Sequence, residues 1–566
     1  MATNKKIQSL LQVLLFIGIL IFVNIFGSFY YSQIDMTEEK RFTLTEPTVG
    51  LLENLDEVVF IKVLLDGEFP AGFKRLQTST REMLEDFRSI SGYVEYEFEN
   101  PGEGTVDQIN GRREELAKDG INPTVLRVKD VDETKELLIY PWAILYYKGR
   151  SMNVNLLESE IMGVPNEMVL NNAVSLLEYK LSNAIQKLQI SKKPAIVFTK
   201  GNGELLPVQT ADLVNSLVPF YDVGFLDLDS NYMINQEIKV VVIARPQFAF
   251  SERNKFLLDQ YIMNGGRVMW LLDRLAVNLD SLRSRPDFIP PPLELNLDDM
   301  LFKYGARIQP NLILDWECTR IPLVTGQLGS GNQYDLFPWY YHPLVAPYSD
   351  HPVVKSLDRV NLKFPSTIDT VRTETPVQKT ILLASSPRTK LQLTPVRLNF
   401  EVLRYDADPT KFNKGPQPIA VMLEGIFRSN YKNRVTASMQ AGLEQLGTTF
   451  KESSVPGKML VVSDGDIPKN LYNPETEKIS PVGFNQFERR TFGANKDFLI
   501  NSIEYLMDDR GVIEARSKEV KLRLLDTTRA KAERTQWRLI NIGLPLVFLL
   551  AFALIFNAIR RRRFAR

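Results

Sequence analysis

Leu539 to Phe556 reads LINIGLPLVFLLAFALIF, eighteen residues without a charge. A helix of roughly 20 apolar residues matches the hydrocarbon thickness of a bilayer, so this run is read as a membrane span, taken as residues 539–559. Pro545 is tolerated inside such a helix, at the cost of a kink. Arg560, Arg561, Arg562, Arg563 and Arg566 follow directly. Against an apolar run, such a tail reads as a topological stop rather than a nucleic-acid patch. A second run, Leu10 to Phe26 (LLQVLLFIGILIFVNIF), opens the chain behind Lys5 and Lys6. Gln12 and Asn24 are its strongly polar members, Ile7 and residues 27–31 extend it, and Tyr30 and Tyr31 fall where an interfacial aromatic belt would lie. A cleaved signal peptide shares this pattern, but no A-x-A site follows, so an uncleaved anchor is expected. Both basic flanks point outward from the two runs, which predicts both termini on the cytoplasmic side and one large ectodomain on the other.

The chain has 566 residues with Lys+Arg and Asp+Glu both at 68. The two tails hold seven basic residues and no acid, so the stretch between the runs is seven charges short of neutral. That suits a soluble domain and gives no electrostatic case for nucleic acid. There is one cysteine, Cys318, and there are two histidines, His342 and His351. An intramolecular disulfide, a cysteine-rich zinc site and a three-histidine site are all excluded.

Periodicity divides the rest. Residues 32–155 read as a small α/β domain. Val58–Leu64 is strand-like, and Phe73–Ile90 has helical spacing. Tyr93–Phe98 alternates strictly, and Val125–Val128 and Leu137–Tyr147 are further strands. Thr45 is placed to cap a short helix with Pro47 in its first turn. Residues 156–190 form a connecting segment with one long amphipathic helix, Met168–Leu188. Residues 191–510 read as a larger α/β domain. PAIVFT (194–199), KVVVIA (239–244) and RVMWLL (267–272) are buried strands, with a helix capped by Ser251 and stopped at Asn264-Gly265-Gly266 between the last two. Strand, helix, strand predicts a parallel sheet with a right-handed crossover. Leu297–Tyr304 is a helix that Gly305 stops, and Lys379–Ala384, Ile419–Leu423 and Lys458–Ser463 resume the sheet. Between 315 and 347 no period survives, so a long aromatic loop is expected there. Residues 428–456 are polar and expected to be partly mobile. Residues 511–538 read as a charged helical stalk running into the second span, and 560–566 as a basic tail.

Three places could carry chemistry. Gly201, Asn202, Gly203 and Glu204 follow a strand of an open parallel sheet, where ligands usually bind, although a tight turn that needs glycine explains them as well. Trp339, Tyr340 and Tyr341 could stack on sugar rings or anchor a partner, or could pin their loop to its own domain. Asp464 and Asp466 flank Gly465 at a strand end and are weak candidates for a hard cation, with a hydrogen-bonded turn as the simpler reading. No P-loop and no G-x-S-x-G occur. No catalytic residue, cofactor or metal is assigned, and no enzyme is expected.

Several segments together resemble one family: RFTLTEPT, TKGNGEL, VVVIARPQFAFSERNKFLLDQYIMNGGRVMWLLD, QYDLFPWYYHPLV, VMLEGIFRSNYKNR and VVSDGDIPKN. They look like GldG, the gliding-motility-associated ABC-transporter accessory ("substrate-binding") proteins of Bacteroidetes. The resemblance implies an inner-membrane protein with a periplasmic ectodomain, a GldA-like ATP-binding partner and a GldF-like multi-span permease. It also implies a large domain like those of intraflagellar-transport components and class I glutamine amidotransferases. The family often carries histidine between the glycines of the GNG turn, where this chain has Asn202, and Cys318 has no nucleophile elbow around it. Two other readings stand beside it, a stand-alone envelope or glycan-binding protein and a degenerate hydrolase.

Overall fold

The computed structural model describes residues 11, 13–23, 43–129, 134–157, 166–284, 287–328, 331–403, 407–445, 447–517 and 533–564. Two compact units result, divided between Glu519 and Val520.

In the first unit, β1 (Val59–Val63), β2 (Val94–Phe98), β3 (Trp142–Tyr147) and β4 (Arg150–Asn155) form a four-stranded sheet in the order β2-β1-β3-β4. β1 runs parallel to β2 and antiparallel to β3. Thr45 precedes helix α1 (Glu46–Glu53) but does not cap it with its side chain; its hydroxyl donates instead to Glu178 at 2.8 Å. Helix α2 (Ala71–Ile90) covers the sheet with Phe73, Leu76, Leu84 and Phe87. The single helix expected over Met168–Leu188 is two, α3 (Asn166–Ser175) and α4 (Leu177–Gln189). Leu181, Ala184, Ile185 and Leu188 of α4 pack into the small domain's core, so α4 belongs to that domain as well as joining it to the next.

The large sheet comprises β5 (Ala195–Lys200), β6 (Asp222–Asp227), β7 (Ile238–Ala244) and β8 (Arg267–Leu271), and later strands of the chain. Before those come β9 (Cys318–Leu328) and β10 (Gly331–Val345). The sheet resumes with β11 (Val377–Ala384), β12 (Pro418–Gly425) and β13 (Gly457–Val462). Its seven strands lie in the order β11-β12-β13-β8-β7-β5-β6. β13, β8, β7, β5 and β6 are mutually parallel, and β12 and β11 add an antiparallel edge. The central strands are apolar throughout because both faces are covered. Val240, Val242, Met269 and Leu271 face a core shared with Phe498, Leu499 and Ile503 of α7 (Ala494–Met507). Their neighbours Val241, Ile243, Val268 and Trp270 face a second core with Leu258, Tyr261 and Ile262 of α5 (Glu252–Met263). Ser251 caps α5, its hydroxyl accepting from the Asn254 N–H at 3.2 Å. Gly266 ends the turn because a Cβ there would sit 2.3 Å from the Tyr261 ring.

The segment 315–347 departs from expectation. It is a hairpin, β9 paired antiparallel with β10, not a structureless loop. Register shifts at Cys318/Arg320 and Val324/Gly326, with Pro338 and Pro343 inside the strand, break the period of two that marks a strand. A short helix, α6 (Ala437–Gln445), occupies part of the polar stretch 428–456.

The second unit contains α8 (Arg534–Phe564), with Pro545 inside it. Arg534–Arg562 is long and apolar enough to cross a membrane. Of the first apolar run, the helix Val13–Val23 is described; it is shorter than a span needs, and its flanks lie outside the described residues. One candidate span is thus present among the described residues where two were expected. Most of the expected stalk, residues 518–532, also lies outside them; Val512–Ser517 before it is a short 3-10 helix.

Candidate functional site

The carboxyl ends of β5, β7, β8 and β13 lie side by side at one edge of the sheet, where open α/β sheets place their ligands. Each strand delivers a different group there. After β5 comes the turn Gly201–Glu204. Gly201 and Gly203 hold φ of +115° and +77°, and a Cβ on Gly203 would lie 2.9 Å from the Phe248 ring, so the glycines are required by the backbone. Asn202 is turned inward: its carbonyl accepts from the Gln247 and Phe248 N–H groups, and its amide donates to Ala249 O at 3.1 Å. Glu204 accepts from the Asn202 N–H at 2.7 Å through Oε2, while its buried Oε1 has no hydrogen-bond partner among the described residues. The turn thus clamps the loop after β7 to the loop after β5.

That second loop begins with Arg245, which holds φ of +56°. Its Nε lies 3.1 Å from Asp273 Oδ2 and 3.2 Å from Asp466 Oδ1, so one guanidinium joins the ends of β7, β8 and β13. Asp273 also accepts the Gly465 N–H at 2.7 Å. Asp464 is fully buried and accepts from the backbone N–H groups of Lys363 and Asp466. Burial, reinforced by the Asp466 charge, pushes the Asp273 carboxyl up to about 6. Burial and the Asp273 and Asp466 charges likewise push Asp464 well above the ordinary carboxylate range. Three carboxyl groups face Arg245 and, 3.7 Å from Asp466, Lys469.

The contacts of Asp464 and Asp466 weigh against a cation there. Asp464 spends both oxygens on backbone N–H groups and Asp466 faces Arg245. Among the described residues no group of three or more His, Cys, Asp or Glu side chains is arranged to hold a metal. The hydrogen-bonded turn is what the chain builds. Arg245 and Asp273 were not singled out from the sequence; their signal was a charge directly after an apolar run, in VVVIA-R and VMWLL-D.

The aromatic triplet lies elsewhere. Trp339 is fully buried and Tyr341 is 4% exposed, in a cluster with Phe364, Leu314 and Leu398. Tyr341 donates to Gln392 at 2.7 Å, and Tyr340 is half-buried beside Trp316 and Phe412. The expected stacking surface is corrected for Trp339 and Tyr341: their rings are packing groups of the hairpin's core. Of the remaining candidates for chemistry, burial pushes the Cys318 thiol up to about 12, so it stays protonated. Burial pushes His342 down to about 3 and His351 down to about 4, so both are neutral at pH 7.

A doubly covered, largely parallel sheet with a ligand-type edge, followed in the chain by an apolar helix of spanning length, defines the class. Residues 193–502 match the family model described as "ABC-type uncharacterized transport system", and the chain belongs to that family of ABC-transport accessory proteins. Residues 38–146 match a domain of unknown function. The chain is similar to an uncharacterized protein of Borreliella burgdorferi (strain B31), 23% identical over 569 residues and covering 99% of each chain. Among solved structures it is similar to the mmIFT52 N-terminal domain, at 13% identity and a TM-score of 0.30 over 56% of this chain and 98% of that one. An exo-β-1,4-mannosidase, Op5Man5 from Opitutaceae bacterium strain TAV5, matches at 10% identity and a TM-score of 0.23 over 78% of this chain and 51% of that one. At these scores neither structure carries an argument about this chain.

Proposed function

We propose that the chain is a non-catalytic, membrane-anchored accessory subunit of an ABC transporter of the kind associated with gliding motility. The family match over residues 193–502 carries this reading. Anchoring is supported by α8, whose apolar stretch ends in a run of arginines. The partners are a GldA-like ATP-binding subunit and a GldF-like multi-span permease. The ectodomain lies in the periplasm, both termini lie in the cytoplasm, and the Leu10–Phe26 run is the second anchor. The large domain follows the amidotransferase-like plan of intraflagellar-transport components without its nucleophile, and the edge formed by Gly201–Glu204, Arg245 and Asp273 is where a ligand or partner engages. The non-catalytic reading is supported by a cysteine held as thiol and two histidines held neutral, His342 buried and His351 half-buried. Glycan binding through the aromatic triplet finds no support, because Trp339 and Tyr341 are buried.

The test is purification of the full chain from its native membrane in mild detergent, with identification of what accompanies it. An ATPase and a multi-span permease in fixed ratio are expected. Recovery of the chain alone, or with envelope components and no ATPase, would sink the reading.

A further inference from the structure

A cavity lies against helix α5. It has a volume of about 730 Å³, within the roughly 300–1,000 Å³ typical of small-molecule sites. Its floor is the outer stripe of α5, where Phe256, Leu257, Gln260 and Tyr261 recur at helical spacing. One wall is the loop holding Tyr232 and Met233; the other is Tyr431 with Leu443 of α6.

The polar groups of that floor are already spent. Gln260 donates to Asp259 and to Lys451 O, and accepts from the Lys451 N–H. Tyr261 donates to Ile238 O at 3.1 Å, and Asn264 to Gln260 O at 2.7 Å. Arg253 gives its guanidinium to the carbonyls of Leu228, Asp229 and Asn231, and lies over the Tyr232 ring at 5.0 Å. A polar ligand would lose its water over this floor and find few replacement bonds there, a cost that apolar ligands do not bear. The rest of the lining is mostly aromatic and aliphatic, with Gln236, Gln445 and Thr448 as its further polar members. Phe256 stands edge-on to Tyr431, ring centroids 5.1 Å apart at 86°, and stacks on Phe450 at 6.3 Å, with Leu443 and Met233 lining the same cavity. At the rim is Glu252, whose side chain is 63% exposed and is shared among Lys255, Asn296 and Tyr431. Its carboxylate disfavours an anionic head group, which argues against a fatty acid or a phosphate entering head-first.

We propose that this cavity is a binding site for a compact, uncharged apolar molecule, a short alkyl chain or a fused-ring hydrophobe, held against Phe256, Tyr431 and Leu443. The proposal goes beyond the transporter reading and does not depend on it. The same chemistry has two sources, the acyl tail of a bilayer lipid and a free hydrophobe.

The test uses the full chain in lipid nanodiscs, irradiated with a neutral alkyl diazirine and mapped by peptide mass spectrometry. Label is expected on residues 252–264 and around Tyr431. Met233→Trp narrows the cavity from a half-exposed position and should cut that label about tenfold, while leaving label on residues 534–564 unchanged. Leu443→Trp should do the same from the opposite wall, which guards against a folding defect in either variant. A diazirine-bearing phospholipid in a parallel arm separates the sources: label from it identifies the bilayer tail, and label from the free probe alone identifies a soluble hydrophobe. Absence of label on residues 252–264, or label that both tryptophan variants leave unchanged, overturns the proposal. Loss of label on 534–564 alone would count against the membrane reading and leave the cavity site standing.

Discussion

Gly465 and Arg245 interlock at the carboxyl edge. A Cβ on Gly465 would lie 2.9 Å from Arg245 Cα and 2.8 Å from its Cβ. Backbone cannot swing aside as a side-chain tip can. Gly465→Ala is therefore expected to destabilise the fold by about 1–3 kcal/mol, the usual cost of overpacking, read from the urea unfolding midpoint of the full chain. An unchanged midpoint would mean that the Arg245 backbone, already at φ of +56°, relaxes freely. The acids of this cluster were legible in the sequence, because VVSDGD places two carboxylates at an obvious strand end. Their meaning was not. The choice between a cation site and a hydrogen-bonded turn depends on Arg245 and Asp273, which lie 219 and 191 residues before Asp464 and meet it only through sheet order.

Elements were legible where their period was clean. The strands of the parallel core and the capped helix α5 fall where apolar runs and Ser251 put them. The β9–β10 hairpin was hidden because two register shifts and two prolines erase alternation, although Trp339 and Tyr341, two residues apart, both face inward as a strand requires. The break between α3 and α4 carries no glycine or proline; α4 is turned by its partners. It offers Lys187 and Tyr179 to Glu504 of α7, making a largely buried ion pair between the small and large domains. Burial opposes the Glu504 charge, but Lys187 and Tyr179 hold its carboxyl below the ordinary value. Lys187→Met leaves that carboxylate without its cation and should cost about 3–5 kcal/mol, whereas Lys187→Met with Glu504→Leu should recover most of the loss. A double-mutant cycle on unfolding midpoints decides it: additive losses would mean the pair contributes nothing as a pair.

At the scale of the whole molecule, pH acts on stability in two directions. Asp273 has a folded-state value of about 6, above its ordinary 3.8, so the folded chain binds the proton more tightly than the unfolded one. Its contribution to stability therefore falls as pH rises from about 4 through about 6. His342 and His351 have folded-state values of about 3 and about 4, below their ordinary 6.5. Their contribution is complete above about 6.5 and is lost as pH falls toward those values. Urea midpoints measured between pH 4 and pH 7.5 should therefore fall less with rising pH in Asp273→Asn, and less with falling pH in His351→Gln. Variants whose pH profiles parallel the parent chain would show that these groups do not set the dependence. The course of the chain as it leaves the folded unit has a mechanical consequence. Arg516 lies over the Tyr179 ring of α4 at 4.9 Å and donates to Pro352 O at 3.0 Å, while Ser517 O accepts from Lys355 at 2.7 Å. A pull on the chain beyond Ser517 is thus loaded in parallel onto a small-domain helix and a large-domain loop. Tension arriving there would strain the seam between the domains before it could peel a strand from either sheet.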